Sequence, residues 1–176
     1  MKMTGLTHIY CGDGKGKTTA AIGLGIRACG RGKRVLLTQF LKGSDSGERN
    51  ILEKIPGFTV TPNPDQIKFT FQMNEEELRE AAEQCRERFA QAVGAAKQGE
   101  CDLLILDEVF AACGAGLLAP EVVSDFIRHK PPELELVLTG RNPDPKIVEL
   151  ADYVSEIKKV KHPFDRNVPA RKGVEF

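Results

Sequence analysis

A run of glycines and lysines, Cys11-Gly12-Asp13-Gly14-Lys15-Gly16-Lys17-Thr18-Thr19, constrains this chain more than any other stretch. It stands between Leu6–Tyr10, an apolar β-prone segment, and Thr18–Cys29, whose Ala, Gly and Ile content reads as a helix. Strand, glycine-rich turn and helix in that order bring successive backbone N–H groups and the positive end of a helix dipole to one point, a cradle for polyphosphate. Gly12, Gly14 and Gly16 permit the turn, Lys17 neutralises phosphate charge, and Thr18 offers its hydroxyl to a magnesium ion. The usual spacing asks for glycine where Cys11 stands, so the first glycine comes one residue late, and Lys15 is an added charge.

Such a loop belongs in an α/β fold, and the remaining apolar runs agree. Val35–Leu41 reads as a second strand. Leu103–Leu106 and Leu134–Thr139 are continuous apolar or β-prone runs, as expected of central strands covered on both faces. Tyr153–Ile157 follows as a last strand after a short helix about Pro145–Ala151. A long helix begins at Asn74, whose side chain can cap the free amides while Glu77 reaches back. Leu78, Ala81, Ala82, Cys85, Phe89, Val93 and Ala96 then make one apolar stripe. The Glu75-Glu76-Glu77 run is a solvated first turn favoured by the helix dipole. Pro62-Asn63-Pro64 and Lys130-Pro131-Pro132 read as loops within the domain. At 176 residues a single domain over 1–176 can bury about 70% of its unfolded surface without staples. The fold expected is α/β and P-loop NTPase-like, with a mostly parallel central sheet flanked by helices.

Composition narrows the function classes. Basic and acidic residues number 25 each, giving no case for nucleic-acid or membrane-surface binding. Locally, residues 1–50 hold nine basic side chains against three acidic ones, so positive charge gathers around the glycine loop. The five cysteines form no C-x-x-C pair and read as free thiols, and His8, His129 and His162 are too scattered for a metal cluster. No run approaches the roughly 18 to 20 apolar residues of a membrane span, and no signal-peptide core follows Met1. A cytoplasmic location is expected.

Leu103-Leu104-Ile105-Leu106-Asp107-Glu108 supplies a second half to the site: a buried strand ending in carboxylates, suited to hold magnesium opposite the phosphate loop. Spacing alone stops at magnesium and a nucleoside triphosphate. Hydrolysis or phosphoryl transfer with Glu108 activating water or an acceptor, other uses of the phosphates, and non-catalytic sensing all stay open.

Further segments bear on that choice. Gly12-Asp13-Gly14-Lys15-Gly16-Lys17-Thr18-Thr19-Ala20-Ala21 carries a displaced first glycine and an extra lysine. Gln39-Phe40-Leu41-Lys42-Gly43, Gly47-Glu48-Arg49-Asn50, Leu106-Asp107-Glu108, Thr139-Gly140-Arg141, Glu149-Leu150-Ala151-Asp152 and Lys161-His162-Pro163-Phe164-Asp165 follow in order. Together these blocks resemble the P-loop-type ATP:corrinoid adenosyltransferases of cobalamin metabolism. The resemblance implies that cobalt(I) of a corrinoid, cobalamin or cobyrinic acid a,c-diamide, attacks the 5′ carbon of ATP and expels intact triphosphate. It further implies that Lys15, Lys17 and the loop amides stabilise the leaving group, with Thr18 and Glu108 at the magnesium. Gly12, Asp13, Gly14, Gly16, Thr19, Arg27 and Arg141 would lie at the nucleotide. Phe69 and Phe71, in Phe69-Thr70-Phe71, match an aromatic pair that displaces the lower axial ligand of cobalt(II) in the family. Two positions depart from the pattern: Asp13 stands where asparagine is common, and Phe71 where tryptophan is usual. The first strand also begins almost at Met1, where longer members carry a covering segment. A homodimer and a flavodoxin or other reductase as electron donor complete what the resemblance implies.

Overall fold

The computed structural model describes residues 4–64 and 70–175, with Phe71 described by its backbone alone. Six strands form one sheet: β1 (Thr7–Cys11), β2 (Val35–Gln39), β3 (Phe58–Val60), β4 (Leu103–Asp107), β5 (Glu135–Thr139) and β6 (Tyr153–Glu156). Their spatial order is β3-β2-β4-β5-β1-β6, and every neighbouring pair is parallel. The register is regular, with Leu37 opposite Ile105 and Ile105 opposite Val137. The α/β architecture expected from the alternation of apolar runs and helices is therefore present, with a wholly parallel sheet.

Parallel strands need crossovers, and these cover both faces. On one face α1 (Lys17–Cys29) lays Ala21, Gly25 and Ala28 against Val35, Leu37, Leu103, Ile105 and Val137. Gly25 permits this close approach: a Cβ there would lie 2.8 Å from Cε2 of Phe58 and 3.1 Å from Cδ1 of Ile105. On the other face α3 (Glu75–Lys97), α4 (Val109–Gly114), α5 (Pro120–His129) and α6 (Pro145–Val148) enclose Leu36, Leu104, Leu106, Leu136 and Leu138. Successive residues of one strand thus feed two cores, as their alternating directions require. α2 (Arg49–Leu52) joins β2 to β3.

The long helix starts where its capping pattern predicts, with Asn74 Oδ1 accepting from the Glu77 N–H at 2.9 Å and Glu77 accepting from the Asn74 N–H at 3.0 Å. Four elements have no counterpart in the sequence reading: α2, β3, α4 and α5. The second strand also stops at Gln39 instead of Leu41, because Leu41 turns into the left-handed region at φ 52°.

Candidate functional site

The carboxyl ends of β1, β2, β4 and β5 converge at one end of the sheet, the place where ligands bind in open α/β folds. Cys11 leads β1 into the glycine loop, which closes on the N-terminus of α1 at Lys17. Two glycines are required by contact with the chain beyond β6. A Cβ at Gly12, whose φ is +103°, would fall 2.4 Å from the Ile157 carbonyl oxygen, and one at Gly14 would fall 2.7 Å from it. The Gly14 N–H donates to that same oxygen at 2.7 Å, so β6 fixes the loop from outside. Asp13 adds a second tie by accepting from the Lys159 N–H at 2.9 Å, and this bond holds its carboxyl below the usual range. The late first glycine is therefore matched by a local device.

Inside the loop, buried Lys17 donates from Nζ to the Gly14 carbonyl at 2.8 Å. Its neighbour Thr18 donates from Oγ1 to Asp107 Oδ1 at 2.9 Å, joining the first helix to the end of β4. Asp107 is fully buried and well supplied with donors. The Thr139 hydroxyl reaches its Oδ1 at 2.7 Å, while Lys42 Nζ and Gln39 Nε2 reach its Oδ2 at 2.9 and 3.3 Å. Lys42 Nζ also stands 3.1 Å from Thr18 Oγ1 and 3.9 Å from Glu48 Oε1. Behind them Arg49, itself buried, holds Gln39 Oε1 at 3.2 Å and the Thr61 carbonyl at 2.9 Å. The Asp107 carboxylate and the Gln39, Lys42 and Arg49 head groups are thus paired with one another, as burial demands.

Glu108 sits one residue beyond the strand in the left-handed region at φ 59°, and its N–H donates to Thr139 Oγ1 at 2.9 Å. Glu108 lines the same cleft as Lys17, Thr18 and Lys42. Burial raises its carboxyl pKa above the usual range and the neighbouring Asp107 charge adds to this, while Lys42, Lys17 and Arg141 pull the other way. The cleft has a volume of about 790 Å³, and its wall includes Lys15, Lys17, Thr18, Lys42, Glu48 and Glu108.

The structure thus brings Gly12 to Thr19 and Glu108 to one site. Arg141 belongs to the same end, since its charge acts on both Asp13 and Glu108. Arg27 does not line the cleft. It is exposed near the far end of α1, and its charge acts on Tyr10 instead. Phe69 lies outside the described residues, as does the Phe71 side chain; the Phe71 backbone belongs to a 3-10 turn over Thr70–Gln72. Gln39, Lys42 and Asp107 are site residues that motif reading left without individual roles. The signal for them was their position at strand ends within segments already singled out. Gly173, Val174 and Glu175 also line the cleft, and no motif announced them.

Thr18 Oγ1 and the Glu108 carboxylate offer oxygen donors at the cleft, with buried Asp107 bonded to the Thr18 hydroxyl behind them, a set that fits a hard divalent cation such as magnesium. Among the described residues no group of three or more His, Cys, Asp or Glu could hold a metal unaided. A magnesium ion here would draw further oxygens from phosphate and water, as is usual for that ion. No helix is long and apolar enough to cross a membrane, among the described residues.

Comparison with known proteins agrees with this geometry. The family model for ATP:corrinoid adenosyltransferases BtuR/CobO/CobP matches residues 3–176. A corrinoid adenosyltransferase of Escherichia coli K12 is 37% identical over 173 residues, covering 98% of this chain and 86% of that one. Corrinoid adenosyltransferase CobA of Salmonella typhimurium is 35% identical, with the same coverage of 98% and 86%. A corrinoid adenosyltransferase of Pseudomonas aeruginosa is 33% identical, covering 98% of this chain and 84% of that one.

Proposed function

The chain belongs to the ATP:corrinoid adenosyltransferases, and from that premise we propose that its phosphate loop serves to expel triphosphate while cobalt takes the adenosyl carbon. The protein is a transferase, with ATP and a corrinoid as substrates. In balanced form, cobalt(I) supplies an electron pair to the 5′ carbon, a cobalt–carbon bond forms, the carbon–oxygen bond breaks, and triphosphate leaves with the bonding pair. Negative charge grows on the departing oxygens, so fixed donors aimed there accelerate the step.

The observation that carries this reading is that Lys17, Thr18, Lys42 and Glu108 line one cleft, with fully buried Asp107 bonded to Thr18 and Lys42 behind it. Lys15, Lys17 and the loop amides bind the polyphosphate and stabilise its charge as it departs. Thr18 and Glu108 would hold the metal, and Asp107 orients the Thr18 hydroxyl. Magnesium, when bound, supplies Lewis-acid stabilisation of the phosphate oxygens. Glu108 then acts as a ligand, and no base is required, since the nucleophile is a metal centre and not water. Arg141 adds positive charge at the same end. Asp13 serves the loop by tying it to residue 159. Phe69 and Phe71 cover the lower face of the corrinoid and favour a four-coordinate cobalt(II) that is easier to reduce. Cobalamin or cobyrinic acid a,c-diamide as the corrinoid, a flavodoxin or other reductase as donor, a cytoplasmic homodimer and a single functional domain over 1–176 complete the proposal on the strength of the family.

The test is an anaerobic incubation with chemically reduced cob(I)alamin, ATP and magnesium, following the corrinoid spectrum and the phosphate products. Adenosylcobalamin with an equal amount of triphosphate is expected. ADP or free phosphate without a cobalt–carbon bond would instead identify a P-loop ATPase or kinase using Glu108 as base.

A further inference from the structure

Lys42 occupies a position that the metal reading leaves no room for. Its ammonium lies 3.1 Å from Thr18 Oγ1 and 2.9 Å from Asp107 Oδ2, while Thr18 Oγ1 lies 2.9 Å from Asp107 Oδ1. The amine therefore closes a triangle with the hydroxyl that a divalent cation would use and the carboxylate that orients it. A lysine proton on the Thr18 oxygen takes a lone pair that a metal needs, and two cations at this separation repel strongly in a site of low dielectric. The geometry points to Lys42 as a cation that competes with a divalent metal at this hydroxyl and carboxylate, one that makes metal entry conditional on the arrival of polyphosphate.

Three features of the chain support this. Asp107 is fully buried, and a buried carboxylate without a cationic partner is strongly unfavourable, so it needs a counter-charge. Lys42 supplies it from the turn that follows β2. It follows Leu41, a non-glycine residue held at φ 52°, a conformation that persists only while neighbouring contacts enforce it. Those contacts include buried Phe40, whose N–H donates to the Asp107 carbonyl at 2.9 Å. Displaced from Asp107, the ammonium has Glu48 Oε1 3.9 Å away and the cleft beside it, which residues 41–43 and 45–48 line. A polyphosphate in the cleft rewards the displaced amine, whereas a bare metal ion offers it nothing. Metal and polyphosphate thus bind with positive coupling through one side chain. Lys42 acts here as a positioning residue, through the cation site, and this role rests on the metal assignment of the proposed function.

Titration of the full-length protein with Mn2+ alone, read by electron paramagnetic resonance of the free ion, tests it without turnover. Wild type is expected to bind Mn2+ weakly, and with inorganic tripolyphosphate added to take up more Mn2+ than the same tripolyphosphate does in the absence of protein. Lys42→Met should bind Mn2+ alone at least about 10-fold more tightly and lose the tripolyphosphate effect by a similar factor. Lys42→Gln, which keeps hydrogen-bonding capacity for a fold that resents Met, should do the same, and Lys42→Arg should stay weak. Asp107→Asn added to Lys42→Met should abolish the gain. Unchanged Mn2+ affinity in both neutral variants overturns the role of Lys42, as does a gain that survives Asp107→Asn. If Asp107→Asn alone leaves the binding of Mn2+ with ATP untouched, the metal position itself is wrong. Adenosylcobalamin formation by wild type is judged separately and survives either failure.

Discussion

Two residues carry the site's charge logic and can be tested singly. Lys17 and Glu108 are both assigned to charge stabilisation at the cleft, and neither is a pillar of the hydrophobic cores. Lys17→Ala and Glu108→Ala should each lower adenosyl transfer by about 100-fold or more while far-ultraviolet circular dichroism stays unchanged; full activity in either variant would remove that residue from the mechanism. Gly140 is a different kind of residue, structural and exacting. It turns the chain out of β5 at φ +141°, and a Cβ there would lie 2.8 Å from Cβ of Phe110 and 3.1 Å from its nitrogen. Gly140→Ala should cost about 2 kcal/mol of stability, read as a lowered midpoint in urea. An unshifted midpoint would mean that the contact with α4 relaxes freely.

At the scale of elements, the capping box makes a local claim on α3. Asn74→Ala removes an N-cap bond and should cost about 1 kcal/mol, which for a chain of this size lowers Tm by about 2–4 °C. A second claim concerns how β2 and β4 begin. Asp102, just before β4, accepts from the Arg34 N–H at 2.8 Å and from Arg34 Nη2 at 2.8 Å, just before β2. The Arg34 guanidinium holds the Asp102 carboxyl below its usual range. A depressed carboxyl pKa gives stability that is present above the unfolded value, about 3.9, and is lost as pH falls through the lower folded one. The pair is half-exposed, so its worth at neutral pH is about 1 kcal/mol or less. Wild type should exceed Asp102→Asn in stability by that amount at pH 5 to 7, with the difference closing below about pH 4; a difference constant down to pH 2 would assign the effect to shape alone. These elements also show what a single sequence can reveal. β4 and β5 were readable because central parallel strands are apolar on both faces, and α3 because its stripe and cap agree. β3 has three residues and α2 and α4 have four and six, too few to display a period. α5 has ten residues, but Ala119 before it offers no side-chain cap to announce it. The glycine loop and Glu108 could be read from spacing, whereas Lys42 on Asp107 could not, because a contact across 65 residues is set by the sheet order and leaves no local mark.

At the scale of the whole molecule, all five cysteines are free thiols, and burial pushes both Cys101 and Cys113 up to about 11. Alkylation with iodoacetamide at pH 8 should label these two slowly in the native protein and rapidly once urea unfolds it. Fast labelling of native protein would mean that the interior opens on its own. The sheet order has a further consequence, for how the protein is made. β1 is synthesised first, yet its neighbours are β5 and β6, the last two strands. The glycine loop that follows it takes its shape from the carbonyl of Ile157. A nascent chain emerging from the ribosome therefore carries an unfinished nucleotide loop throughout most of its synthesis, and its first strand must wait with both edges unpaired. Long-range pairing of this sort slows folding and leaves early segments open to association. The native shape of the glycine loop waits on the strand that leads into Ile157, so a chain interrupted before residue 153 lacks the carbonyl that sets it.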